Sequence, residues 1–113
     1  MDRSTKRLKI PALQMRRLVP DLGSCFATDR ITVDGANVGC MVREKGTPFG
    51  HSGWTFLAGD ESQEYADNPQ HWAAYDVNTI CNFDPAIIRY LDSARGTVLT
   101  RVPGTNRFTV EPA

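Results

Sequence analysis

The sequence predicts an α+β fold: one domain with a twisted, mainly antiparallel sheet and two or more short helices. Three observations point to it. Apolar residues alternate with others over short runs at 25–28, 38–43, 54–58, 97–102 and 107–110, the period-two pattern of strands with one face in a core. Helix start signals, an aspartate leading into an apolar stripe, stand between those runs at Asp76 and Asp84. With 113 residues, 41% of them hydrophobic and 23% charged, the chain has a globular composition and is long enough to bury a core without disulfide or metal.

Taken in order, residues 1–23 read as a basic N-terminal extension and 24–113 as the domain. Arg3, Lys6, Arg7, Lys9, Arg16 and Arg17 face Asp2 alone before Pro20. A short helix is expected over 12–19, broken by Pro20 and Gly23. Strands are expected at 25–28 and 31–33. Asp34-Gly35 follows as a hairpin turn, because a type I′ turn needs positive φ at both central residues. In the next strand Val38, Cys40 and Val42 alternate with Gly39, Met41 and Arg43, so one set faces the core. A loop from Lys45 to Ser52 leads to a strand in which Trp54, Phe56 and Ala58 alternate with Thr55 and Leu57 until Gly59. Trp54 and Phe56 read as core residues.

Asp60 or Ser62 then caps a short helix through Glu64 and Tyr65, which Asn68-Pro69 stops. Asp76 precedes Val77, Ile80 and Cys81, the i, i+3, i+4 stripe of one or two helical turns, with Asn82 as its expected end. Asp84-Pro85 repeats the signal with proline at the first helical position, followed by Ile87, Ile88 and Leu91, and predicts a helix from Pro85 to Leu91. The runs at 97–102 and 107–110 flank Pro103-Gly104-Thr105-Asn106 and make a closing hairpin.

Charge is balanced overall but not along the chain. From Gly46 to Ile88 there is no lysine or arginine, and the charges are Asp60, Glu61, Glu64, Asp67, Asp76 and Asp84. Trp54, Tyr65, Trp72 and Tyr75 lie among them. An acidic, aromatic-rich surface suits a basic protein partner, since aromatic residues are common energetic anchors of interfaces. The partner-binding candidates are Asp60, Glu61, Glu64, Asp67, Trp72, Tyr75 and Asp76, the last with a second reading as a helix cap. Nucleic acid requires stacking aromatics in a positive groove, which leaves only the N-terminal arm suited to it. Cys25, Cys40 and Cys81 are odd in number, lack a C-x-x-C pair and sit among apolar neighbours, as reduced core residues of a cytoplasmic protein do. No apolar run suggests a secretory signal or a membrane span.

Catalytic patterns are sparse. His51 and His71 are the only histidines, and with the neighbouring carboxylates they form the alternative reading, a small metal-dependent hydrolase. No H-x-x-x-H or calcium-loop spacing supports it. Gly50-His51-Ser52-Gly53-Trp54 fails the G-x-S-x-G pattern, because tryptophan occupies the last position. The expectation is a binding module with no catalytic residue, metal or cofactor.

The order of the segments carries a resemblance. Ser52-Gly53-Trp54, Gly59-Asp60-Glu61, Asn68-Pro69 and Tyr75-Asp76-Val77-Asn78-Thr79, within residues 24–110, resemble the bacterial immunity protein 33 family, also known as domain of unknown function 2185. That resemblance implies a cytoplasmic bacterial α+β protein that binds and neutralises a toxin deployed in contact-dependent competition. It brings no catalytic residues, and the basic extension is not part of it.

Overall fold

The computed structural model, which describes residues 6–111, contains six strands: β1 (Ser24–Thr28), β2 (Cys40–Arg43), β3 (His51–Leu57), β4 (Trp72–Asp76), β5 (Val98–Arg101) and β6 (Phe108–Val110). They form one sheet in the order β4-β1-β3-β2-β5-β6. All pairings are antiparallel except β1 with β3. The helices are α1 (Asp29–Thr32), α2 (Gln63–Asp67) and α3 (Val77–Phe83), with 3-10 turns at Ala12–Gln14, Pro69–His71 and Pro85–Tyr90. The fold is therefore α+β, with a mixed but mainly antiparallel sheet.

The helices α1 and α3 and the turn at Pro85–Tyr90 supply Ile31, Val77, Ile80, Cys81 and Ile87 to one face of the sheet. Cys25, Ala27, Met41, Trp54, Phe56 and Leu99 meet them from alternate strand positions, all buried. The small Cys25 and Ala27 lie on β1, which α1 and α3 both contact. Trp54 and Phe56 stack with ring centroids 5.9 Å apart, and the Trp54 indole donates to the Leu91 carbonyl at 3.2 Å, so the largest core side chain has its polar atom satisfied. Intervening strand residues such as Phe26, Cys40, Val42, Thr55 and Leu57 are half-buried or exposed. No layer covers that second face among the described residues.

Three local expectations are corrected. The strand expected over 31–33 and its Asp34-Gly35 hairpin are instead α1 and its C-terminal closure. Gly35 has φ +83°, as a hairpin glycine would, but its N–H bonds back to Ile31 and that of Ala36 to Arg30, so positive φ serves a helix end here. The helix expected over 12–19 shrinks to one 3-10 turn. Beyond it Met15 is extended, and the backbone of Arg16, Leu18 and Val19 is bonded to side chains of α3 rather than to itself. The helix over 85–91 is a 3-10 turn, capped as expected by Asp84, whose carboxylate accepts from Ala86 N.

Ser62 and Asp76 also cap as read, accepting from Tyr65 N and Asn78 N. Asp84 does more than cap. Its second oxygen accepts from Val38 N at 2.9 Å and pairs with Arg101, with side chains 7% and 11% exposed. Removing one member of such a pair leaves a buried charge without compensation. Asp84→Ala is expected to destabilise the fold by about 3–5 kcal/mol, measured by urea denaturation at an unchanged m-value.

Residues 6–23, of the segment read as an extension, lie along the body; Asp2 and Arg3 fall outside the described residues. Asn78 accepts from Leu18 N at 2.7 Å and Val19 N at 3.2 Å and donates to Arg16 O at 2.8 Å. Val19 is consequently 7% exposed and part of the core. Asn78→Ala leaves two amides unsatisfied at a cost of about 1–3 kcal/mol each. Trypsin cleavage after Arg16 or Arg17 is expected to accelerate about tenfold or more, since cleavage follows the population of the locally opened form.

Candidate functional site

The C-terminal ends of β1 and β3 share one end of the sheet because the two strands are parallel. The chain leaving β3 turns at Gly59, whose φ is +99°, and runs through Asp60 and Glu61 into α2. Each carboxylate there has a different assignment. Glu61 folds back on the turn. One oxygen accepts from Ala58 N at 2.8 Å and Thr28 Oγ1 at 2.6 Å, and the other accepts from Gly59 N at 2.9 Å. Asp60 receives the fork of Arg30, from Nε at 3.1 Å and Nη2 at 2.7 Å, while Arg30 also reaches Asp34 at 3.1 Å. The bonds from Arg30 hold the Asp60 carboxyl below its ordinary pKa.

Glu64 and Asp67 sit on α2, both exposed. Asp67 accepts from Gln63 Nε2 at 2.7 Å, and neither residue has a salt bridge among the described residues. Beneath them Trp72 opens β4, half-buried, and its indole donates to Ala66 O at 2.8 Å. Tyr65 and His71 stack at 3.8 Å. His71 Nδ1 lies 2.8 Å from the Tyr65 carbonyl, which can only accept, so this nitrogen carries the proton. Lys6 ties the assembly from the other side, with Nζ 2.6 Å from Asp29 and bonded to the carbonyls of Gln70 and Trp72.

Asp60, Glu61, Glu64, Asp67 and Trp72 are therefore brought to one end of the sheet. Tyr75 and Asp76 are not. Tyr75 pairs with Cys25 on the helix-covered face and bonds Thr32 through its hydroxyl at 3.1 Å. Asp76 pairs with Ser24, at the far end of β1, and caps α3. Sequence reasoning missed Arg30 and Thr28, which bind this acidic end from 30 or more positions away. Nothing in local spacing could have signalled them.

The hydrolase alternative loses its ligand set. His71 lies at the Thr28 end of β1 and His51 at the Ser24 end, and among the described residues no three His, Cys, Asp or Glu side chains converge. His51 Nδ1 accepts from Gly53 N at 2.9 Å, its ring lies 5.0 Å from that of Phe26, and its buried Nε2 has no partner among the described residues. The Ser52 hydroxyl donates to Ser24 O at 2.7 Å and accepts from Trp54 N at 3.1 Å, a bracket between strands. Gly53 has φ +87°, and a Cβ there would stand 2.6 Å from the Arg95 guanidinium and 2.9 Å from Glu44 O. Burial pushes up the Cys25 thiol and, with help from Asp76, takes Cys81 to about 11. Burial raises Cys40 too, with Glu111 and Glu61 adding to it. None of the three is an activated thiolate.

A family model, the Immunity protein Imm33 domain, matches residues 25–111. The chain belongs to the Imm33 family. No curated protein and no solved structure matches it. The Imm33 match takes in all six strands except Ser24 at the start of β1, and helices α1, α2 and α3, and begins after the segment that Asn78 docks. It supports an immunity-protein role, and it agrees with the resemblance read from the Ser52-Gly53-Trp54 and Asp76-Val77-Asn78 segments. No helix among the described residues of this Imm33 protein is long and apolar enough to cross a membrane.

The Asp60–Arg30 pair has a measurable signature. Asp60 should titrate by carboxyl NMR below the ordinary aspartate value of about 3.9, and Arg30→Ala should return it to that range. A depressed folded pKa contributes stability above the unfolded value, which is lost as pH falls through the folded one. The wild type should therefore lose more stability than Arg30→Ala on acidification below about pH 4.

Proposed function

We propose that this Imm33 protein is a non-catalytic immunity protein of a bacterial cytoplasm, which binds and neutralises a basic protein toxin at the acidic end of its sheet. The observation that carries the reading is the grouping of Glu64 and Asp67, without salt-bridge partners among the described residues, beside the half-exposed Trp72. Unpaired carboxylates raise the encounter rate with a positively charged surface. Trp72 offers an aromatic anchor whose orientation is already fixed by Ala66 O. Asp60 and Glu61 add to the negative field while their oxygens stay engaged within the fold. Tyr75 and Asp76 serve the interface indirectly, by setting β4 against α1 and α3.

A toxin domain encoded beside this chain supplies the test. Glu64→Lys with Asp67→Lys is expected to slow association about tenfold or more at low ionic strength and to flatten its salt dependence. Trp72→Ala should act instead on dissociation, by about 2 kcal/mol or more. An association rate unchanged by the double reversal at low salt rules out the acidic end as the contact.

A further inference from the structure

Lys6 lies outside the residues that the Imm33 model matches, yet its ammonium is fully engaged at the acidic end. Nζ is 2.6 Å from Asp29 Oδ1, 2.9 Å from the Gln70 carbonyl and 3.3 Å from that of Trp72. An ammonium has three N–H donors, and each has an acceptor here. The Lys6 and Asp29 side chains are 17% and 19% exposed. The backbone helps to fix where Lys6 stands, because Lys9 N donates to Thr32 O at 2.7 Å. The segment around Lys6 is thus moored to α1 at both Asp29 and Thr32, independently of α2.

Three successive residues at the junction of β1 and α1 govern the loop that carries α2. Thr28 holds Glu61 and Arg30 holds Asp60, which fixes the start of that loop. Asp29 holds Lys6, and Lys6 holds the loop's end at Gln70 and Trp72. Between these two clasps little else restrains it. Neither α2 nor the turn at Pro69–His71 contributes a buried residue. Among the described residues, the hydrogen bonds of residues 62–70 stay within residues 62–72, save the one that Gln70 O accepts from Lys6. A segment with so few buried contacts draws its order from its ends. Without the ammonium, a carboxylate and two carbonyl oxygens converge with no donor between them, an arrangement that is unfavourable in a part-buried place. The Gln70 end is then released while the Glu61 end is not.

We propose that Lys6 is a positioning residue of the partner-binding end. By holding Gln70 and Trp72 it sets the loop that carries Glu64 and Asp67 and the start of β4 that bears Trp72. That role rests on the acidic-end reading for its partner, but the restraint on the loop exists without one. The contrary role for a cation at an acidic site is competition, in which Lys6 occupies ground that a basic partner needs. The two roles predict opposite changes. Removing a competing charge tightens binding. Removing a positioning group loosens it through dissociation, because the more negative site still attracts its partner.

Hydrogen–deuterium exchange of the full chain, with no partner added, tests the restraint. Lys6→Met should accelerate exchange at the amides of Tyr65, Ala66, Asn68, Gln70 and His71 by about tenfold or more, and leave β2, β3 and β5 at wild-type rates. Unchanged exchange at those five amides overturns the proposal, as does acceleration in every strand alike. With the toxin domain encoded beside this chain, Lys6→Met should raise the dissociation rate about tenfold and leave association at low salt equal or faster. Tighter binding by Lys6→Met makes Lys6 a competitor and overturns the positioning role. The exchange rates alone decide whether Lys6 holds the loop, and the charge reversals at Glu64 and Asp67 alone decide whether that loop meets a toxin, so the two readings fail separately.

Discussion

The buried pair of Asp84 and Arg101 is the constraint on which the rest of the architecture depends. Asp84 ends α3 and starts the 3-10 turn, yet its carboxylate also takes the N–H of Val38 ahead of β2. Arg101 at the end of β5 bonds the Val38 carbonyl at 2.8 Å and Thr105 O and Asn106 in the hairpin loop, and lies 4.8 Å above the Phe108 ring. Burying two charges is unfavourable unless nearly every donor and acceptor is matched. Here the matching groups come from four separated stretches of chain. The pair therefore fixes the helical layer, β2 and the closing hairpin in one geometry. The β4-β1-β3 half of the sheet is then set by the continuity of β2 with β3.

The segments that identify the family turn out to be internal fittings. Ser52 bridges β1 and β3, Gly53 admits Arg95, Trp54 fills the core, and Glu61 closes the turn after β3. Asn68 caps the Pro69–His71 turn through Gln70 N, Asp76 caps α3, and Asn78 holds the N-terminal segment. A residue whose polar atoms are already satisfied inside the fold has little left to offer a partner. On the proposed function, specificity for a partner would reside where these motifs are silent. The exposed Glu64 and Asp67 of α2 meet that condition, since neither caps a helix nor lies in a strand.

Much of the fold was legible because it was locally encoded. Strand alternation placed β1, β2, β3, β5 and β6 but not β4, and the caps at Ser62, Asp76 and Asp84 were readable because each acts on an amide two or three residues ahead. The errors share one cause. Asp34-Gly35 states a need for positive φ, which a hairpin and a helix end satisfy equally. The stretch 12–19 has helical apolar spacing, but Asn78 and Asn82, some 60 residues away, offer its amides better partners. At the acidic end the charges were visible and their pairing was not. Arg30 and Thr28 reach Asp60 and Glu61 only after the parallel pairing of β1 and β3, a contact no local pattern announces.

The acidic end keeps chemistry unspent by the fold. It has charge but little apolar area, so it favours encounter rate and is weakened by salt. Among the acidic-end residues, Glu61 is the one most engaged within the fold, its two oxygens accepting three hydrogen bonds. Trp72 is held by Ala66 O through its indole and by Lys6 through its carbonyl. A partner that stacks on it meets a side chain already ordered, and the entropy cost of fixing that anchor falls on folding rather than on binding.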